Sequence, residues 1–379
     1  MPHVVSRRLY LVAGEASGDT HGAALIAALH SLDPEMVFTG RGGPRMKAVA
    51  GGNFFDWSRH SAVLGLWEVL KKYRYFRRQF AASLRYIREE RIEAVVLIDY
   101  PGFNLRLARA LRRKMPDLKI IYYISPQVWA WNRRRIPKMA KWLDLMLCIF
   151  PFEADLYNQS GLRTVFVGHP MIEALGASGR TEERQPDLVA LLAGSRWREV
   201  RKILPTMIRA AEHIRAAMPQ MRFEVASASA SFSKEVERRV RDSRLPEGSV
   251  QITIGQAEAA MQRASVGIIA SGTATLQAAY FRLPFVLVYR VAWLTYLVAR
   301  MVVKVKFLGM PNVLAGREVV REFIQHRADP RAIAMAALKL LQDQSARDAL
   351  VAEFDQTIAS LGEDGASLTA AQAIVEELG

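Results

Sequence analysis

Short runs of aliphatic and β-branched residues alternate with helical periodicity along almost the whole chain. The runs at 9–13, 36–39, 94–98, 119–124, 145–149 and 164–167 are too short for helices and apolar almost throughout. Strands apolar on both sides belong in sheets covered on both faces, and the helical stretches between them supply the covers. This alternation predicts parallel strands joined by crossover helices. A segment rich in Gly, Pro and charge, GHPMIEALGASGRTEERQPD (168–187), interrupts it, and it restarts at 188–192, 222–225, 250–254, 266–270 and 285–288. From Pro330 the chain reads as helical to residue 379. The expected fold class is α/β, with two doubly wound, Rossmann-like domains facing each other across a cleft. They take residues 1–168 and 169–349, and helices at 350–379 pack back on the first domain or on a partner subunit. The length of 379 residues suits two domains of roughly 100–200 residues each.

Ligands of such sheets bind at the carboxyl ends of strands, so the turns there are read first. The first, VAGEASGDTHG (12–22), has the glycine spacing of a phosphate-cradling turn but carries Glu15 and Asp19 and no lysine. The second, LLAGSRWREV (191–200), carries Gly194, Ser195 and Arg196 ahead of a helix from Trp197 to about Met218. Backbone N–H groups at a helix start attract anions, and Ser195 and Arg196 add a donor and a fixed charge. A diphosphate suits this turn; the alternative is a capping serine beside a solvated arginine. A third turn ends the strand before SGTATLQ, with Ser271, Gly272, Thr273 and Thr275 ahead of another helix. Two such turns in one domain suit a nucleotide diphosphate, although hydroxyls here also serve as plain helix caps.

Lys and Arg number 52 against 37 Asp and Glu, a net charge of +15. That excess favours an anionic partner: nucleic acid, anionic lipid or a phosphorylated substrate. The single cysteine, Cys148, excludes an internal disulfide framework, and no His/Cys cluster has zinc-ligand spacing. No apolar signal segment opens the sequence, and VAWLTYLVA (291–299) is too short to span a bilayer. Much of the positive charge falls in 64–92, where Trp67, Leu70, Tyr73, Phe76, Phe80, Leu84 and Ile87 recur at helical spacing with Lys71, Lys72, Arg74, Arg77, Arg78, Arg85 and Arg88 on other faces. Such a helix either lies in a membrane interface or packs its apolar face on the sheet. The segment 291–307, with Arg300, Lys304 and Lys306, is a second patch of this kind.

LVAGEASGD, GRGGPRM, IDYPGFN, YISPQVWAW, FPFE, GSRWRE, SGTATLQ and MPNVLAGRE occur in this order between residues 9 and 323. Each alone is weak; as an ordered set they make the chain resemble the lipid-A-disaccharide synthases, inverting glycosyltransferases of the GT-B type. The resemblance implies transfer of the sugar of UDP-2,3-diacylglucosamine to 2,3-diacylglucosamine 1-phosphate. The products are a β-1,6-linked disaccharide 1-phosphate and UDP, with no metal or other cofactor. It also implies work at the cytoplasmic face of the bacterial inner membrane, an anionic surface, and a homodimer involving the C-terminal helices. Nucleic acid is not among the implied partners.

An inverting transfer needs a base at the acceptor hydroxyl and positive charge at the departing diphosphate. Asp99 ends the apolar run AVVLID and matches a family aspartate, which makes it the first candidate for the base; the alternative is a cap for a helix from Asn104. Glu15 is the reserve base, and Arg196 is the candidate for the diphosphate. By resemblance Gln277 contacts the ribose, although the family usually has glutamate there, and Asn312 sits at the cleft. Ala193 replaces a common proline, and Arg317 and Glu318 are read as pairing with each other. On the acceptor side stand Glu15, Ser17 and Asp19, whose oxygens accept from sugar hydroxyls; Asp19 alternatively caps its own helix. Gln127 and Trp129 offer a sugar-binding face, unless the tryptophans of that segment are core. The rival readings are a UDP-sugar epimerase or another GT-B glycosyltransferase, and a nucleic-acid binder. A dinucleotide oxidoreductase is weaker, because AGEASGD lacks the G-x-G-x-x-G spacing.

Overall fold

In a computed structural model, residues 7–51, 54–57, 73–179, 181–293, 296 and 305–379 are described. The expected basic segment 64–92 is thus described from Tyr73 onward, and most of 291–307 lies outside the described residues. The chain forms two compact units, one of residues 1–173 and 361–379 and the other of 174–360.

The first unit holds a parallel sheet of β1 (Arg8–Ala13), β2 (Val37–Gly42), β3 (Phe54–Asp56), β4 (Ala94–Ile98), β5 (Lys119–Tyr123), β6 (Leu145–Cys148) and β7 (Thr164–Phe166). Their spatial order is β3-β2-β1-β4-β5-β6-β7, with Ala13 beside Ile98 at the reversal. Side chains alternate across a strand, so each face has its own helices. Leu9, Leu11, Val96 and Ile98 pack with Leu25, Ile26 and Leu29 of the helix Ala16–Leu32 and with Ile374 of the helix Ala366–Leu378. Tyr10, Val12, Val95 and Leu97 pack the other way, with Ile87 of the helix Tyr73–Glu89 and Leu107 and Leu111 of Pro101–Lys114. Phe76, Phe80 and Leu84 join that second cluster, so the described part of the basic helix turns its apolar stripe inward. Its Arg74, Arg77, Arg78, Arg85 and Arg88 are exposed.

The second unit repeats the plan with β8 (Gln185–Leu192), β9 (Arg222–Ser227), β10 (Val250–Ile254), β11 (Ala264–Ala270), β12 (Phe285–Tyr289) and β13 (Glu322–Ile324), all parallel, in the order β10-β9-β8-β11-β12-β13. Its core joins Val189, Leu191, Val266 and Ile268 to Ile203, Leu204 and Met207 of the helix Trp197–Ala217 and to Ile333 of Pro330–Gln342. Each sheet therefore reverses its winding once, between β1 and β4 and between β8 and β11. The crevice outside those strand ends is where doubly wound sheets bind ligands.

Candidate functional site

At the first switch point β1 runs into Gly14 and Glu15, and β4 runs into Asp99 and Tyr100. Asp99 and Tyr100 both take left-handed backbone, with φ of 45° and 49°. Left-handed backbone is uncommon in non-glycine residues, and a residue before proline is normally extended, so this turn is strained. Two side chains hold it: Asn104 Nδ2 donates to the Asp99 carbonyl at 2.8 Å and Tyr122 Oη donates to the same oxygen at 2.5 Å. Strain held in place by surrounding bonds is typical of functional sites. Tyr100, not Asp99, is the N-cap of Pro101–Lys114, with no side-chain capping bond, so capping does not account for Asp99.

The Tyr100 ring lies over Gly14 so closely that a Cβ there would come within 2.2 Å of Tyr100 Cγ. The glycine is thus required by the close approach of the next strand's turn. Asp99 and Glu15 are near enough to interact electrostatically, and burial together with the Glu15 charge pushes the Asp99 carboxyl up. The same two causes push the Tyr100 hydroxyl up to about 12. Glu15 and Ser17 are exposed at the start of the helix Ala16–Leu32. This crevice therefore holds a carboxylate of raised basicity beside a second carboxylate.

Asp19 departs from expectation. It is 4 % exposed, and its carboxylate accepts from the backbone N–H groups of Gly43, Arg45 and Met46 at 2.8, 3.0 and 3.0 Å. It neither caps its own helix nor faces a sugar; it fixes the GRGGPRM turn, where the helix Pro44–Ala50 starts. Trp129 departs too, toward the core alternative. It is buried, and its Nε1 donates to Glu153 Oε1 at 2.7 Å. The Glu153 carboxylate is fully buried, accepts from Phe150 N at 3.2 Å, and is pushed up to about 7, above all by burial. Gln127 is exposed, as is Trp131, whose ring carries Arg135 at 5.0 Å.

At the second switch point β8 leads into Gly194, Ser195 and Arg196, and β11 leads into Ser271 to Thr275. Gly194 has φ of 100°, and a Cβ there would meet Glu199 Oε2 at 2.5 Å. Arg196 is the N-cap residue of Trp197–Ala217, and its Nη1 donates to Glu199 Oε1 at 3.1 Å with the arginine side chain 64 % exposed. An exposed pair of this kind is weak, so an incoming anion can take the guanidinium from it. Ser195 in the same turn, and Gly272 and Thr273 in the turn after β11, are exposed. Ser271 Oγ donates to the Leu308 carbonyl at 3.2 Å, and Gln277 Nε2 lies 3.4 Å from Glu258 Oε1.

Two residues of this set are spent on the fold. Thr275 is fully buried and its Oγ1 donates to the Gly272 carbonyl at 2.8 Å. Asn312 is fully buried: its Nδ2 donates to the Val320 carbonyl and to Glu322 Oε1, and its Oδ1 accepts from Val319 N and Val320 N. An asparagine amide has two donors and two acceptor lone pairs, so its capacity is full. Asn312 therefore staples the loop around β13 and offers nothing to a ligand. Arg317 pairs with Glu353 at 2.5 Å rather than with Glu318. Reading the sequence did not find Tyr100, Asn104 or Glu199. The i, i+3 spacing of Arg196 and Glu199 was the available signal; the left-handed backbone of Tyr100 is visible only in the fold.

Structures of very different sequence share the fold. The glycotransferase of kitacinnamycin superposes with a TM-score of 0.62 at 14% identity, covering 99% of this chain and 100% of that one. The UDP-GlcNAc 2-epimerase from Neisseria meningitidis, solved bound to UDP-GlcNAc, gives 0.56 at 10%, covering 98% and 99%. Sequence is more selective. The lipid-A-disaccharide synthase of Myxococcus xanthus is 35% identical over 383 residues, 98% of this chain and 97% of the relative. That of Pseudomonas paraeruginosa is 38% identical over 378 residues, 97% of each. The model of the lipid-A-disaccharide synthetase family matches residues 9–376. With both sheets and both switch points inside that match, the chain belongs to the lipid-A-disaccharide synthetase family.

Proposed function

We propose that the two switch points divide one glycosyl transfer between them. Family membership makes the chain a hexosyltransferase that forms the lipid A disaccharide from a UDP-sugar and a lipid acceptor. The finer assignment is transfer from UDP-2,3-diacylglucosamine to 2,3-diacylglucosamine 1-phosphate. The acceptor 6-hydroxyl oxygen attacks the donor anomeric carbon, the bond from that carbon to the diphosphate breaks, and UDP departs with inversion. Asp99 takes the hydroxyl proton, and Glu15, the reserve base, keeps the Asp99 carboxylate basic through its charge. Arg196, released from Glu199, receives the charge growing on UDP, with Ser195, Ser271, Gly272 and Thr273 around the diphosphate and Gln277 toward the ribose. Ser17 and Gln127 contact the acceptor.

The raised basicity of Asp99 at a strained switch-point turn carries this reading. A general base contributes about 10²–10⁴ in rate, so Asp99→Ala should lose that much turnover on the two acylated substrates while keeping its circular dichroism. Near-parent turnover removes Asp99 from the chemistry. Conversion of UDP-sugar without acceptor favours an epimerase.

Two further parts belong to the proposal. The five exposed arginines of the helix Tyr73–Glu89 dock the protein on the anionic inner-membrane surface. A homodimer forms through the C-terminal helices, where Met335 and Leu368 stand exposed. Among the described residues no helix is long and apolar enough to cross a membrane.

A further inference from the structure

The region where β12 and β13 end opens onto a cavity of about 470 Å³ to which the transferase reading gives no occupant. Its lining among the described residues is Lys202, Arg290, Val291, Trp293, Gln325 and His326, with no carboxylate. A cavity of this size holds a small ligand or the head of a larger one, and its charge selects an anion.

The wall is built rather than incidental. Arg290 Nη1 donates to Thr206 Oγ1 at 2.7 Å, and Thr206 is buried on the inner side of the helix Trp197–Ala217. That bond orients the guanidinium while using one of its five donors, which suits a planar or tetrahedral oxyanion. Gln325 clamps the next residue: Val291 N donates to its Oε1 at 2.8 Å, and its Nε2 donates to the Val291 carbonyl at 3.3 Å. Gln325 is itself buried, with left-handed backbone at φ 52°. A buried side chain at a strained position, spent on fixing a neighbouring backbone, is how a binding wall is preorganised. Trp293 stands 61 % exposed beside these cations.

Lys202 lies six residues beyond Arg196 on the same helix, or about 9 Å along its axis. We propose that this cavity is a second anion site, for the phosphomonoester of the phosphorylated sugar acceptor, with Arg290 and Lys202 on the phosphate and Trp293 along its apolar part. The acceptor's attacking 6-hydroxyl and its own 1-phosphate hang from C5 and C1, the two carbons that flank the ring oxygen. The departing diphosphate and the acceptor phosphate are thus held apart by the reacting anomeric carbon and one edge of the acceptor ring. The transfer therefore demands two anion sites about a ring apart, and one helix supplies both. The identity of the phosphomonoester rests on the transferase reading, whereas the cavity and its charge do not. A phospholipid headgroup presents the same chemistry.

Calorimetric titration of the full chain, saturated with UDP, separates these cases. The probes are acyl-free glucosamine 1-phosphate, inorganic phosphate, and phosphatidylcholine vesicles with and without phosphatidic acid. Glucosamine 1-phosphate should bind in the presence of UDP and more tightly than inorganic phosphate. Arg290→Gln and the surface substitution Lys202→Gln should each weaken it about tenfold, the worth of one charged hydrogen bond, with UDP affinity unchanged. Lys202→Gln keeps the test valid should Arg290→Gln disturb the fold. Competition with UDP, or indifference to both substitutions, overturns the site. Arg290-dependent capture of phosphatidic acid vesicles without glucosamine 1-phosphate binding overturns the assignment to substrate. Failure of the parent to bind UDP, with Arg290-dependent glucosamine 1-phosphate binding intact, overturns the transferase reading and leaves the cavity standing.

Discussion

Asp99 is held where its charge is unwelcome. Burial and Glu15 both raise its carboxyl above the ordinary 3.8. A carboxyl raised in the folded state binds its proton more tightly there than in the unfolded chain. Folding is therefore penalised above the folded-state value, and the penalty fades as the pH falls through it. Asp99→Asn removes the charge at nearly constant shape, so it should stabilise the first unit at neutral pH while abolishing transfer. The expected gain is about 0.5–2 kcal/mol, the usual scale when an active-site conflict is relieved. Thermal melts at pH 7 and near pH 3.8 should show the gain at the first and not at the second. A pH-independent gain, or a loss at pH 7, means the carboxylate is not under electrostatic strain. The position of Asp99 and Glu15 at one switch point was legible because both follow a recognisable strand. Sequence reading misplaced Asp19, Thr275 and Asn312 because polar residues in a motif look alike whether they face a ligand or a backbone. Only the partners tell: three N–H groups on Asp19, a full amide on Asn312.

Among the elements, strands were the most legible, since an apolar run is visible without knowing its neighbours. The expected 94–98 and 250–254 are β4 and β10 as observed. Of the three-residue edge strands, Thr164–Phe166 showed in the apolar run 164–167, whereas Phe54–Asp56 and Glu322–Ile324, each ending or beginning on a carboxylate, were not foreseen. The segment YISPQVWAW was ambiguous because its anchor, Glu153, lies on another element, the helix Pro151–Asn158. The Glu153 carboxyl titrates near 7 when folded against an ordinary 4.5. Stability should therefore fall as the pH rises from about 4.5 to about 7 and level off above, the unfolded chain losing its proton first. Glu153→Gln should flatten that slope in melts taken from pH 4.5 to 8; an unchanged slope assigns it to other groups. The helix Tyr73–Glu89 takes the packing reading, with Phe76, Phe80 and Leu84 inward and its arginines outward. Each such arginine near an anionic bilayer is worth about 1 kcal/mol. Arg77→Gln with Arg78→Gln should thus weaken binding to phosphatidylglycerol vesicles roughly tenfold or more at low salt. No parent binding even at low salt ends the docking proposal.

At the scale of the whole molecule, the chain leaves the first unit after residue 173 and returns to it at 361. The helix Ala366–Leu378 completes that unit: Ala370, Ala371 and Ile374 lie in its core, and Glu377 pairs with Lys119 and Arg163, both at 2.6 Å. Contacts more than 200 residues apart thus join β5 and the residue ahead of β7 to the last helix. Such pairings form late, because the loop between them must close first. Composition made the helix visible at the end of the sequence, but alanine-rich helices do not name the sheet they cover. Two perturbations should therefore act on different units. Ile374→Ala deletes a fully buried side chain and should cost the first unit about 2–5 kcal/mol. UDP, which binds the folded second unit in the proposed mechanism, should stabilise that unit by mass action, about 2.7 kcal/mol at a hundredfold excess over its dissociation constant. In differential scanning calorimetry the substitution should lower one transition and the nucleotide should raise another. If both shift a single transition together, the two sheets unfold as one. If UDP raises the transition that Ile374→Ala lowers and leaves the other fixed, the diphosphate site belongs to the first unit, at Gly14 to Asp19, and the division of the reaction between the two switch points is wrong.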